Sequence, residues 1–72
     1  MFYDYSELTG LIIAKFRTQS AFAAAMHMSE RSLSLKLNNR VPFSQPEIDK
    51  AVDLLSIKPT QVGRYFFAKN VQ

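Results

Sequence analysis

A hydroxyl residue stands at positions 6, 18, 29 and 44, each at the head of a short segment with helical character. Ser and Thr in such places accept a hydrogen bond from a first-turn amide and so start helices. After Ser6, Leu8, Leu11, Ile12 and Phe16 recur at spacings of three and four, a helical stripe. After Thr18, the run to Met28 holds alanine at 21, 23, 24 and 25, the strongest helix former. Phe22 and Met26 lie four apart within it and face the core. Ser44 has Glu47 three residues later and Pro46 in the first turn, a capping box that opens a helix to about Leu55. A last short helix starts near Pro59 and carries Val62, Tyr65 and Phe66. The punctuation predicts an all-α fold: a compact bundle of five helices joined by short loops.

The segment after Ser29 is the ambiguous one. "SLSLKL", residues 32–37, places Leu33, Leu35 and Leu37 at alternate positions, as a strand with one buried face does. Two features favour helix. Ser29 caps the start, and Asn38-Asn39 is a stop signal, because Asn tolerates the left-handed conformation that ends helices. At about 100° per residue, Leu33 and Leu37 then fall about 40° apart, and Leu35 lies about 200° from Leu33. Leu35 is left on the opposite face, beside Arg31, Ser34 and Asn38.

Composition narrows what such a bundle can do. Seventy-two residues allow one domain, spanning 1–72, with one small core. No cysteine is present, so no disulfide framework and no cysteine-based zinc site can form. A single histidine and scattered carboxylates offer no metal site, no cofactor site and no catalytic set, which argues against an enzyme. No apolar run approaches the roughly 18 residues of a membrane helix. The start, "MFYDYSEL", lacks the basic opening of a signal peptide. A cytoplasmic protein is expected. The net charge is +3 and unevenly spread: residues 15–40 carry five basic side chains against Glu30 alone. That quarter is a possible footprint for phosphate.

The stretch "TQSAFAAAMHMSERSLSLKLNNRVPFSQPEI" resembles the helix-turn-helix of phage repressors and Cro-type regulators, with the motif at about residues 18–38. The resemblance rests on Gln19 opening the first motif helix, Ala23 four residues on, Ser29 at the next cap, Lys36-Leu37-Asn38-Asn39, Phe43-Ser44 and Glu47-Ile48. The opening "MFYDYSELTG", the closing "YFF" of residues 65–67 and the length are similar to the small Cro-like and modulator-of-repression proteins of lactococcal temperate phages. Two positions depart from the pattern. His27 and Asn39 stand where the family has glycine, and both residue types are enriched among non-glycine residues of left-handed conformation.

The resemblance implies a third helix that enters the DNA major groove. Gln19 would then hold a phosphate at the start of the second helix, although capping serves it equally well. Arg31 is the best base reader, because its guanidinium pairs with guanine in a bidentate way. Glu30 either accepts from cytosine or complements the helix dipole. Ser29, Ser32 and Ser34 are adaptable hydrogen-bond partners, Leu35 could meet a thymine methyl, and Asn38 and Arg40 would anchor backbone. Two functions follow. One is a Cro-like regulator of the lysis–lysogeny switch that binds double-stranded operator DNA, as a homodimer on half-sites about one turn apart. The alternative is an antirepressor that binds the cognate phage repressor protein through the same face. The lean charge of that helix and its stranded Leu35 keep the alternative open, because an apolar residue ringed by polar ones is how a protein-binding hot spot looks.

Overall fold

A computed structural model describes residues 2–70 of the chain. Five α-helices follow one another: α1 (Ser6–Phe16), α2 (Gln19–Ala25), α3 (Glu30–Leu37), α4 (Gln45–Leu55) and α5 (Val62–Phe66), the last preceded by a 3₁₀ turn at Pro59–Gln61. The five-helix, all-α expectation holds. The hydrogen bonds at the helix starts explain why. Thr18 Oγ1 accepts from the Ala21 amide at 3.0 Å, and Ser29 Oγ accepts from the Ser32 amide at 3.0 Å. Ser44 and Glu47 form the full capping box: Ser44 N–H donates to Glu47 Oε1 at 2.8 Å, and Glu47 N–H donates to Ser44 Oγ at 3.3 Å. Each satisfies an amide that the helix itself leaves without a partner.

The first helix starts differently from the sequence expectation. Ser6 does not cap it. The cap position falls on Tyr5, which makes no side-chain cap bond, and Asp4 just before it supplies an acceptor instead: its Oδ1 accepts from the Ser6 amide at 2.9 Å and from the Ser6 hydroxyl at 2.6 Å. A carboxylate outcompetes a hydroxyl here because it accepts both donors at once and carries the charge that suits a helix N-terminus.

The core draws on every helix. Leu8 and Ile12 of α1, Phe22 and Ala23 of α2, Leu33 of α3, Ile48, Ala51 and Leu55 of α4 and Phe66 of α5 are all buried, with Met26, Ile57 and Tyr5 filling between them. Phe16 and Phe22 meet edge to face, with ring centroids 5.1 Å apart. In α3 the ambiguity of "SLSLKL" is resolved as a helix. Leu33 is fully buried and Leu37 packs on the core as a half-buried neighbour. Leu35 is half-buried but lies outside that core.

One element has no counterpart in the sequence reading. Phe2–Tyr3 (β1) and Lys69–Asn70 (β2) form a two-residue antiparallel ribbon, with Phe2 opposite Asn70 and Tyr3 opposite Lys69. The Asp4 amide extends it by donating to the Ala68 carbonyl at 2.7 Å. The ribbon brings the two ends of the chain together beside the α3–α4 loop.

Candidate partner-binding face

Four described helices end without glycine in a residue of positive φ: Arg17 (φ 75°) after α1, His27 (φ 60°) after α2, Asn39 (φ 62°) after α3 and Ser56 (φ 55°) after α4. The last three close the same pair of backbone bonds. After α2, His27 N–H donates to Ala24 O and Met28 N–H to Ala23 O; after α3, Asn39 N–H donates to Lys36 O and Arg40 N–H to Leu35 O. This is the Schellman arrangement, which satisfies the last carbonyls and turns the chain sharply. The two departures from the glycine pattern therefore fall where a left-handed residue is required, and His and Asn occupy that conformation. The α2–α3 turn spans four residues and sets α3 across α2.

The residues singled out from the sequence fall into two groups on this frame. Ser29, Glu30, Arg31, Asn38 and Arg40 are exposed, while Gln19, Ser32, Ser34 and Leu35 are half-buried. Gln19 is the first residue of α2 and Arg31 the second residue of α3. Ser29 is committed to its cap. Asn38 is committed locally too: its Nδ2 donates to the Ser34 carbonyl at 2.8 Å and the Ser34 hydroxyl at 3.3 Å. Among the described residues, Glu30, Arg31 and Arg40 enter no salt bridge.

Lys36 is half-buried and turned to a partner. Its Nζ sits 3.2 Å from Glu47 Oε1 and donates to the Pro42 carbonyl at 3.2 Å, with only 12% of the side chain exposed. This bridge ties α3 to α4 and pins the intervening loop. Burial alone would raise the Glu47 carboxyl, but hydrogen bonds from the Ser44 amide and the Lys36 ammonium outweigh it and hold it below its ordinary value. The consequence for the face is electrostatic. With Lys36 paired to Glu47, the exposed charges within α3 are Glu30 and Arg31, which cancel, and Arg40 just beyond its end is, among the described residues, the one further free cation of this segment.

Asn39 has a role that its residue type alone does not reveal. Tyr3 N–H donates to Asn39 Oδ1 at 2.9 Å, and Asn39 Nδ2 donates to the Tyr3 carbonyl at 2.9 Å. The amide side chain pairs with β1 as a neighbouring strand would. Tyr3 is opposite Lys69 in the ribbon, and its own N–H and C=O point away from β2. Asn39 therefore closes the free edge of β1 and fastens the N-terminus to the end of α3. No local signal announces this link, because 36 residues separate its two ends.

The chain belongs to a family described as a protein of unknown function (DUF739), whose model matches residues 1–69. Its fold is shared with a solved structure, the solution structure of the modulator of repression (MOR) of the temperate bacteriophage TP901-1 from Lactococcus lactis. The two are 49% identical, with a TM-score of 0.82 over 100% of this chain and 97% of the other. A search of curated proteins gives no match. The likeness extends over the whole chain and supports a phage regulatory role, in agreement with the resemblance read from the sequence. No described helix is long and apolar enough to cross a membrane.

Proposed function

We propose that this chain is an antirepressor. It binds the repressor protein of its own phage through the α3 face and so keeps that repressor off its operator. The observation that carries this reading is Leu35: an apolar side chain outside the core, on a recognition-type helix whose exposed charges cancel. DNA affinity draws on several Lys or Arg contacts to phosphate. Here α3 contributes one free arginine beside a glutamate, because Lys36 is spent on Glu47. A hot spot in a protein interface needs the reverse, an apolar anchor with a polar rim. The likeness to a modulator of repression favours the same reading. Arg31 and Glu30 form the rim, and Ser32 and Ser34 supply adaptable hydrogen bonds.

Operator binding is the second reading, supported by the position of Arg31 in the first turn of α3 and of Gln19 at the start of α2. The two readings separate by salt and by mutation. For the repressor complex, Leu35→Ala is expected to weaken binding about 30-fold, in the range of a hot-spot truncation, with Tm unchanged because Leu35 lies outside the core. Raising salt from 50 to 200 mM should alter that affinity by only a few-fold, whereas DNA binding through several phosphates falls by a factor of about a thousand or more. Calorimetric titration against the purified repressor and a gel shift with the intergenic DNA measure both. Failure of the repressor to bind, with salt-steep binding to DNA instead, refutes the antirepressor reading.

A further inference from the structure

Five large apolar side chains are exposed among the described residues: Phe2, Tyr3, Ile13, Val41 and Phe67. Four of them, all but Ile13, line one groove of about 330 Å³ between the ribbon and the α3–α4 loop. The clustering is notable because single exposed apolar residues are ordinary, whereas a contiguous set marks a contact site. The wall is preformed. Phe67, Tyr3, Tyr5, Phe43 and Phe66 meet in series, mostly edge to face, each ring 5.4 to 6.1 Å from the next, and Asn39 holds the Tyr3 backbone. A rigid aromatic wall loses little entropy on binding.

The charge around the groove selects its occupant. No charged residue lines it. An adjoining hollow shares Phe2 and Tyr3 with it and is bordered by Arg40, and Lys69 stands opposite Tyr3 in the ribbon. Of the acids beside it in the chain, Asp4 already holds two hydrogen bonds from Ser6, and Glu47, between the lining residues Gln45 and Ile48, is paired with Lys36. A second copy docked groove to groove would bring Arg40 and Lys69 against their own equivalents. We propose that the groove is a second docking site, which takes a short extended segment of a partner protein bearing large apolar side chains flanked by carboxylates. The proposal rests on this chain being a protein-binding regulator but not on Leu35, since the groove lies beyond the C-terminal end of α3.

The test uses the full chain, labelled with ¹⁵N, and two blocked peptides, Ac-Glu-Leu-Phe-Leu-Glu-NH2 and its lysine counterpart Ac-Lys-Leu-Phe-Leu-Lys-NH2. The acidic peptide should shift the amides of Val41, Phe67 and Arg40, and the basic one should not. Phe67→Ser should abolish the shifts, and Arg40→Glu should weaken binding by about three- to ten-fold, as expected for reversing one rim charge. Leu35→Ala should leave peptide binding unchanged. Equal binding of both peptides, shifts confined to α3, loss on Leu35→Ala, or binding of oligo-dT in place of either peptide overturns the groove proposal. Peptide binding without any binding of the repressor leaves the groove standing and removes the antirepressor reading; repressor binding lost on Leu35→Ala, with no response to peptide, does the opposite.

Discussion

His27 and Asn39 share a backbone conformation and differ in what the side chain does with it. An L-residue in the left-handed region costs about 1 kcal/mol or more relative to glycine. His27 is exposed, and its side chain enters no hydrogen bond among those described. Replacing it by glycine relieves the conformation at a modest entropic cost, and His27→Gly should raise stability by about 0.5 kcal/mol. Asn39→Gly relieves the same strain but removes two hydrogen bonds to Tyr3. Net hydrogen bonds contribute about 0.5–1.5 kcal/mol each, so Asn39→Gly should be destabilising. Chemical denaturation of the two variants gives the sign of each change. Amide exchange adds a local readout, since Tyr3 N–H should lose protection in Asn39→Gly alone. Equal stabilisation by both substitutions would mean that Asn39 does not hold β1. Sequence pattern flags both positions as departures from glycine but cannot tell them apart, because the distinction lies in a partner 36 residues away.

At the scale of elements, α3 is the most informative, because it has eight residues and is polar over much of its surface. Such a helix is not stable alone. It stands through its two caps, the burial of Leu33 and the Lys36–Glu47 bridge to α4. Ser29→Ala should cost about 1 kcal/mol and loosen the turn that carries Glu30 and Arg31. Partner affinity should fall more in Ser29→Ala than in Thr18→Ala, whose cap belongs to α2. Titration of the repressor against both variants decides this, and a smaller loss in Ser29→Ala would separate the α3 first turn from the interface. The helices themselves were legible from capping residues and spacing. Two features, one in α3 and one in α1, were not. Lys36 reads as a surface cation and is instead an internal tie, since Glu47 lies across a loop and only folding brings them together. At the start of α1, Ser6 has the residue type of a cap, but the cap position falls on Tyr5 and Asp4 accepts the Ser6 amide, because neighbouring acceptors are equivalent until the chain direction entering the helix is known.

For the whole molecule, acid is the natural probe. Three carboxyls are held below their ordinary values: Asp4 by hydrogen bonds from the Ser6 hydroxyl and amide, Glu7 by the Arg64 guanidinium, and Glu47 by the net effect of its hydrogen bonds against burial. They tie the N-terminal turn, the α1–α5 contact and the α3–α4 contact. A depressed folded value means that the unfolded chain takes up protons first as pH falls. The stabilisation is therefore complete above the ordinary values of 3.8 and 4.5 and is lost as pH drops through the folded values. Tm should be level near neutrality and decline from about pH 5 downwards. Glu47→Gln should lower Tm at neutral pH and flatten the decline, while leaving the contribution of Asp4 and Glu7. A decline of unchanged steepness in Glu47→Gln would remove that carboxyl from the linkage.

What the chain determined by itself is the set of helices and which face of each turns inward. Capping hydroxyls, alanine content and apolar spacing are local, and helices are built from local bonds, so these properties read directly from neighbouring residues. They place Leu33 and Leu37 inward and Leu35 outward before any tertiary contact is known. Tertiary structure alone decided which surface groups are free. Folding spent Lys36 on Glu47, Arg64 on Glu7 and Asn39 on Tyr3, and it paired two ends of the chain into a ribbon beside the aromatic groove. Such pairings depend on residues distant in sequence meeting in space, and the charge and shape of a binding face are what remains after they have formed.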